Sequence, residues 1–231
     1  MTTHVLVHGA WHGGWCWRKV AVSLRAKGRD VYTPTLTGLG ERRHLASPDV
    51  GLETHIRDVM AVLEVEDLTN VVLVGHSYGG VVVTAVADLA QPRLSRVVYL
   101  DAVVPGDGQC LYDRVSAGVQ AYFEQQARMG GDGWCVPVSA ATPQFLGLKD
   151  EKDIGWVLPR LTPHPIRTFR EPVRLSGKGA RVPRTYINCI GDKPLGQPKT
   201  TQAEGIDDYC ELRTGHDAMV TAADAVVEML T

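Results

Sequence analysis

Several things are scarce in this chain, and each scarcity removes a class of function. There is no basic surplus. The 24 Lys and Arg are outweighed by 26 Asp and Glu, for a net charge of −2, which excludes the electrostatic footprint of a nucleic-acid binder. No apolar run reaches the ~18 residues that cross a bilayer. The strand-like pattern begins near residue 3, so a secretory leader is not expected. Five cysteines, Cys16, Cys110, Cys135, Cys189 and Cys210, form no pair with CxxC spacing. An odd count without that spacing argues against a disulfide framework or a structural zinc and for free thiols in a reducing cytoplasm. Repeats and low-complexity segments are also missing.

What is present is an alternation. Six β-like runs, "HVLVHG" (4–9), "DVYTPTL" (30–36), "NVVLVGH" (70–76), "RVVYLDAVV" (96–104), "RTYINCIG" (184–191) and "YCELRTG" (209–215), are mostly continuous in apolar character, as strands buried on both faces are. Helical patterns separate them: "WRKVAVSLRAKG", "LETHIRDVMAVLEVE", "GGVVVTAVADLA" and "ADAVVEML". The expected fold class is α/β, with a mostly parallel, doubly wound six-stranded sheet. Residues 105–182 break the rhythm with Pro and Gly. They are read as a cap inserted into a core of 1–104 and 183–231, lying over the C-terminal sheet edge where such sheets bind ligands.

The chemistry concentrates at "VVLVGHSYGG" (71–80). Gly75-x-Ser77-x-Gly79 matches the nucleophile elbow, a sharp turn between a strand and a helix that presents a serine. A chain of this length contains the bare pattern by chance about one time in ten; its place between strand and helix is what gives it weight. A serine nucleophile needs a base. His216, in "RTGHDAMV", follows the last strand and so shares the edge with Ser77. His4, His12, His44, His55 and His164 read as surface or loop residues, and His76 as pocket wall. For the acid that orients His216, Asp192 in "INCIGDKP" suits the order Ser…Asp…His; Asp101, at the end of the fourth strand, is its rival. Asp217 reads as a local hydrogen-bonding partner. The oxyanion donors are expected to be the N–H groups of Tyr78 and of Ala10 in the glycine-rich loop "HGAWHGGW". "GLGERRH" is neither a dinucleotide fingerprint nor a phosphate loop. No ligand cluster calls for a metal, and no cofactor is expected.

Together "HVLVHGAWHGGWCW", "VVLVGHSYGG", "YINCIGDKP" and "TGHDAMV" resemble the α/β-hydrolase superfamily, in the branch of plant methylesterases, the salicylate-binding esterase and hydroxynitrile lyases. "TGLGERRHL", "LETHIRDV" and "LDAVVPGDGQ" are more similar still to bacterial esterases of that branch, which include hydrolases of carbamate esters such as carbendazim. The resemblance implies a triad of Ser77, Asp192 and His216, an oxyanion hole at Ala10 and Tyr78, and a narrow apolar pocket. The lyases carry threonine at the position of Gly9 and lysine at that of Asp217, so hydrolysis is implied here. The plant esterases place methionine directly after the histidine; here Met219 comes three later. Expected pocket walls are Trp11, His76, Tyr78, Leu146, Trp156 and Met219, with Phe123 and Trp134 from the cap. A small ester, carbamate or amide is the expected partner, with no nucleic acid and no membrane; a homodimer is the assembly to look for.

Overall fold

The structure is a computed structural model that describes residues 2–191 and 205–231. Its main sheet has six strands: β1 (Thr3–Val7), β2 (Asp30–Tyr32), β3 (Val71–His76), β4 (Leu94–Leu100) and, after a short antiparallel pair β5 (Cys135–Val136) and β6 (His164–Pro165), β7 (Arg184–Cys189) and β8 (Asp208–Leu212). Their order is β2-β1-β3-β4-β7-β8, and every neighbouring pair runs parallel. The doubly wound expectation therefore holds. β2 is shorter than its sequence pattern suggested, because Pro34 cannot donate to a ladder and ends the pairing.

The burial follows from composition. Every residue of β1 and of β3 is buried. In α3 (Gly79–Leu89) only the last residue escapes burial, consistent with a helix apolar on nearly all sides. The helices α1 (Arg18–Ala26) and α2 (Leu52–Val65) bury one stripe each: Val20, Ala21 and Leu24 in the first, Leu52, Ile56, Val59 and Leu63 in the second. α2 packs on α3, and α1 on the C-terminal helix Ala223–Leu230. Right-handed crossovers put these pairs on opposite faces of the sheet.

The strand order reverses between β1 and β3. In open α/β sheets the crevice at such a point, beyond the C-terminal strand ends, is where ligands sit. Here the loop after β1 and the turn after β3 meet. The segment between β4 and β7 folds above them. It opens with a single turn at Leu111–Arg114. A new helix, α4 (Ala117–Gly130), then starts behind Ser116, whose Oγ accepts from Val119 N at 3.3 Å. Short helices follow: α5 (Thr142–Phe145), α6 (Glu151–Val157) and α7 (Arg167–Arg170). α6 is capped by the Asp150 carboxylate, which accepts from Lys152 N and Asp153 N.

Candidate active site

Ser77 follows the last residue of β3 with φ +53. A serine in this left-handed region costs on the order of 1–3 kcal/mol and stays there only if its surroundings hold it. They do. Ser77 N–H donates to Leu100 O (3.2 Å), while its carbonyl accepts from Gly80 N and Val103 N (3.0 Å each). The turn also needs its glycines. A Cβ on Gly75 would lie 2.7 Å from Gly79 O, and one on Gly80 would lie 2.3 Å from Val103 O. Among the described residues six non-glycines have positive φ, and three of them, Trp11, Ser77 and Asp101, stand together here; the others are Asp or Asn, which tolerate that region most readily. The strain is thus gathered at one spot.

The Ser77 hydroxyl donates to His216 Nε2 at 2.8 Å. On the other side of the ring, Nδ1–H donates to Asp101 Oδ2 at 2.7 Å. Asp101 sits one residue beyond β4. Its own N–H donates to Ile187 O, and its Oδ1 accepts from Cys189 N at 3.2 Å, so the carboxylate is clamped between β4 and β7. The acid expected from the sequence is Asp192, with Asp101 as its rival. The one Nδ1 of His216 is occupied by Asp101, and Asp192 lies outside the described residues. Chain order could not separate the two, since both aspartates fall between Ser77 and His216.

The loop after β1 is held by three buried histidines. His8 Nε2 accepts from Leu36 N (3.1 Å), which leaves Nδ1–H to donate to Gly9 O (2.9 Å). That carbonyl belongs to the same amide as Ala10 N–H, so His8 orients the expected oxyanion donor. In the next amide, Ala10 O accepts from His12 Nδ1–H (2.7 Å) and Trp11 N–H donates to His164 Nδ1 (3.3 Å). His164 Nε2–H in turn donates to Thr168. The second donor expected from the sequence, Tyr78 N–H, lies at the start of α3, where the helix dipole favours negative charge. The Tyr78 hydroxyl donates to His55 Nδ1 (2.8 Å), whose Nε2–H donates to Thr37 O.

Four histidines read as surface or loop, His4, His12, His55 and His164, are in fact buried; only His44 is exposed. Each finds a backbone or side-chain partner, a signal no local pattern in the sequence carries. Burial pushes the pKa of His8 and His76 down to about 3 and of His55 to about 4, and holds His164 well below the ordinary value, so all four are neutral. His12 is different. Burial lowers its pKa, but the Asp217 carboxylate at 3.0 Å from Nε2, its hydrogen bond and the Ala10 carbonyl together raise it above the ordinary value. For Asp217 burial acts upward and His12 pulls it lower, with a net decrease. The stability His12 adds is complete below the ordinary histidine pKa and is lost as pH rises through the raised value; that of Asp217 is lost as pH falls through its lowered one.

The reactive groups open into an inner cavity of about 50 Å³ lined by Ala10, Trp11, Tyr78, Val103, Phe123 and Phe145 among others. An outer groove of about 630 Å³ continues from it, sharing Trp11, Val119, Phe123 and Phe145. Trp11 packs edge-on against both Phe123 and Phe145 at 5.7 Å. Of the walls expected from the sequence, Trp11, Tyr78 and Phe123 are brought to the cavity. His76, Trp134, Leu146, Trp156 and Met219 are not. His76 lies behind His216 (4.7 Å between rings), its Nε2–H donating to His216 O. Leu146 O accepts from Asp217 N, and Met219 is fully buried in the core. Trp134 is joined through its carbonyl to Ile166 N. Trp156 stands edge-on to Trp15 under Arg160. Phe145, Phe169 and Tyr186, which line the cavity, went unrecognised because they come from three separate segments.

His76 also explains Gly9. A Cβ there would lie 2.8 Å from His76 Nδ1 and 2.9 Å from the Ser77 Cβ. Gly9→Thr is therefore expected to displace both His76 and the serine. Turnover of an activated ester should fall at least tenfold in steady-state kinetics, because small misplacements of reacting groups are costly.

Comparison with known proteins identifies the family of this fold. The model of the alpha/beta hydrolase family matches residues 5–229. A carbendazim hydrolyzing esterase of Nocardioides sp. (strain SG-4G) is 41% identical over an alignment that covers all of this chain and 98% of the relative. A pheophorbidase of Raphanus sativus is 29% identical, covering 86% of this chain and 80% of that protein. Among solved structures, an extracellular alpha/beta-hydrolase from a Paenibacillus species, described as sharing homology with tobacco salicylic acid binding protein 2, superposes with a TM-score of 0.88 at 25% identity, covering 100% and 98% of the two chains. The chain belongs to the alpha/beta hydrolase family.

Proposed function

We propose that this protein is a serine hydrolase of small, uncharged carboxylic or carbamic esters. The observation that carries the reading is the continuous chain Ser77 Oγ–His216–Asp101, with both hydrogen bonds at 2.7–2.8 Å. In the proposed reaction His216 Nε2 takes the Ser77 proton as Oγ attacks the ester carbonyl. The N–H groups of Ala10 and Tyr78 hold the oxyanion. His216 then gives the proton to the departing alcohol. A water, deprotonated by the same imidazole, attacks the acyl-enzyme and releases the acid. Asp101 keeps Nδ1 protonated and stabilises the imidazolium. No step calls for a cofactor.

The cavities support the substrate class. No Lys, Arg, Asp or Glu is among the described residues lining the outer groove; its polar groups are Ser116, Tyr122, Ser139, Thr142 and Gln144. An anionic or cationic substrate would find no counter-charge there. The inner cavity accommodates a small group and the aromatic groove a flat or apolar one, so a substrate with one compact and one aryl or alkyl half fits. The residues of 105–182 then serve as a cap that supplies Phe123 and Phe145 as the wall between the two spaces. The carbendazim hydrolyzing esterase, similar over the whole chain, supports the carbamate arm. Against a lyase stand the space at Gly9, filled by His76, and the acidic Asp217.

The test is a panel of p-nitrophenyl esters of increasing acyl length, aryl methyl esters, and carbendazim with other carbamates. Short and aryl esters or carbamates are expected to turn over and long-chain esters to fail. Cleavage of long-chain esters alone, or release of cyanide from a cyanohydrin without ester hydrolysis, would overturn the assignment.

A further inference from the structure

We propose that His12 and Asp217 form a charged brace that positions the oxyanion loop against the loop carrying the catalytic base. The hydrogen bonds define it. His12 has acceptors on both ring nitrogens: Ala10 O at 2.7 Å from Nδ1 and Asp217 Oδ2 at 3.0 Å from Nε2. A neutral imidazole carries one N–H and would turn a lone pair on one of these oxygens. With Asp217 ionised, its pKa lowered against the upward pull of burial chiefly by His12, only the imidazolium satisfies both. His12 is wholly buried, and so is Asp217, so the cation has no water to hold it and depends on the carboxylate.

The position of each residue gives the brace its use. Ala10 carries the proposed oxyanion donor, and Asp217 directly follows His216. One side-chain link therefore joins the backbone next to the proposed oxyanion donor to the residue next to the group that moves the proton. Asp217 N–H is anchored in turn on Leu146 O, below the wall of Phe145. His12 stacks on Trp15 at 5.4 Å between ring centroids and meets His76 edge-on at 6.1 Å. The other titratable groups facing the pair are His8, His76, His164, His216 and Cys16; His8, His76 and His164 are neutral, so Asp217 is the counter-charge. His12 is a positioning residue: it acts on the reaction through the Ala10–Trp11 amide, the one that follows the amide carrying the proposed donor.

The kinetic half of the test rests on the serine-hydrolase reading; the spectroscopic half does not. In ¹⁵N-histidine-labelled protein at pH 7, His12, assigned by its loss in His12→Gln, is expected to show two protonated ring nitrogens. Asp217→Asn keeps the shape and removes the charge. There His12 should become neutral, and kcat for p-nitrophenyl acetate should fall roughly ten- to a hundredfold with KM changed by less than about threefold. Asp217→Glu should restore the doubly protonated signal and part of kcat. A neutral His12 in the unmodified protein overturns the proposal even if Asp217→Asn does not fold. So does a folded Asp217→Asn with unchanged kcat. Full turnover by Ser77→Ala would overturn the hydrolase reading instead and leave the labelling result standing.

Discussion

Replacing Ser77 with alanine is expected to lower kcat about a millionfold, the scale seen when the nucleophile of a triad is removed. Alanine keeps the Cβ and the φ of +53, so the elbow and its bonds to Leu100, Gly80 and Val103 stay in place. The loss is therefore chemical. Without Oγ there is no acyl-enzyme, and His216 can at best activate water directly. What remains comes from the oxyanion donors and from substrate binding. Circular dichroism and thermal unfolding should be close to those of the unmodified protein, while steady-state turnover of an activated aryl ester should drop to near background.

The second large effect separates two aspartates. Asp101→Asn is expected to lower kcat by about four orders of magnitude, as tautomer reversal does in triads of this type. The asparagine can turn its NH₂ toward His216 Nδ1. The imidazole proton then moves to Nε2, the atom that must accept from Ser77 Oγ. The geometry survives but the base does not. The same substitution at Asp192 should leave kcat within about threefold, because Nδ1 of His216 already has its carboxylate at 2.7 Å. Parallel kinetics on the two variants decide the matter. A collapse in the Asp192 variant with little change in the Asp101 variant would restore the first expectation.

The pairing of Ser77 with His216 was legible because an elbow and a strand-following histidine are local patterns whose meeting the parallel topology guarantees. The acid was not. By sequence Asp101 and Asp192 both follow strand-like runs, and their order along the chain is the same relative to Ser77 and His216. What singles out Asp101 is a backbone feature, its φ of +43 one residue after β4, which aims the side chain across β7. The buried histidines were misread for a related reason. His12 lies in the loop after β1, His55 in α2 and His164 in β6, and each has a partner distant in the sequence: Asp217, Tyr78 and Trp11 respectively. His164, for example, serves Trp11 N–H across 153 positions. Pocket walls followed the same rule: Trp11 and Phe123 were legible as large apolar groups near the edge, whereas Trp156 and Met219 have equal hydrophobicity but point into other contacts.

The most direct measurement is the intact mass of the protein after exposure to a fluorophosphonate, followed by peptide mapping. The prediction is one adduct per chain, on Ser77, absent in Ser77→Ala and strongly slowed in Asp101→Asn. A folded protein that takes no label, or takes it on another residue, would contradict Ser77 as the nucleophile.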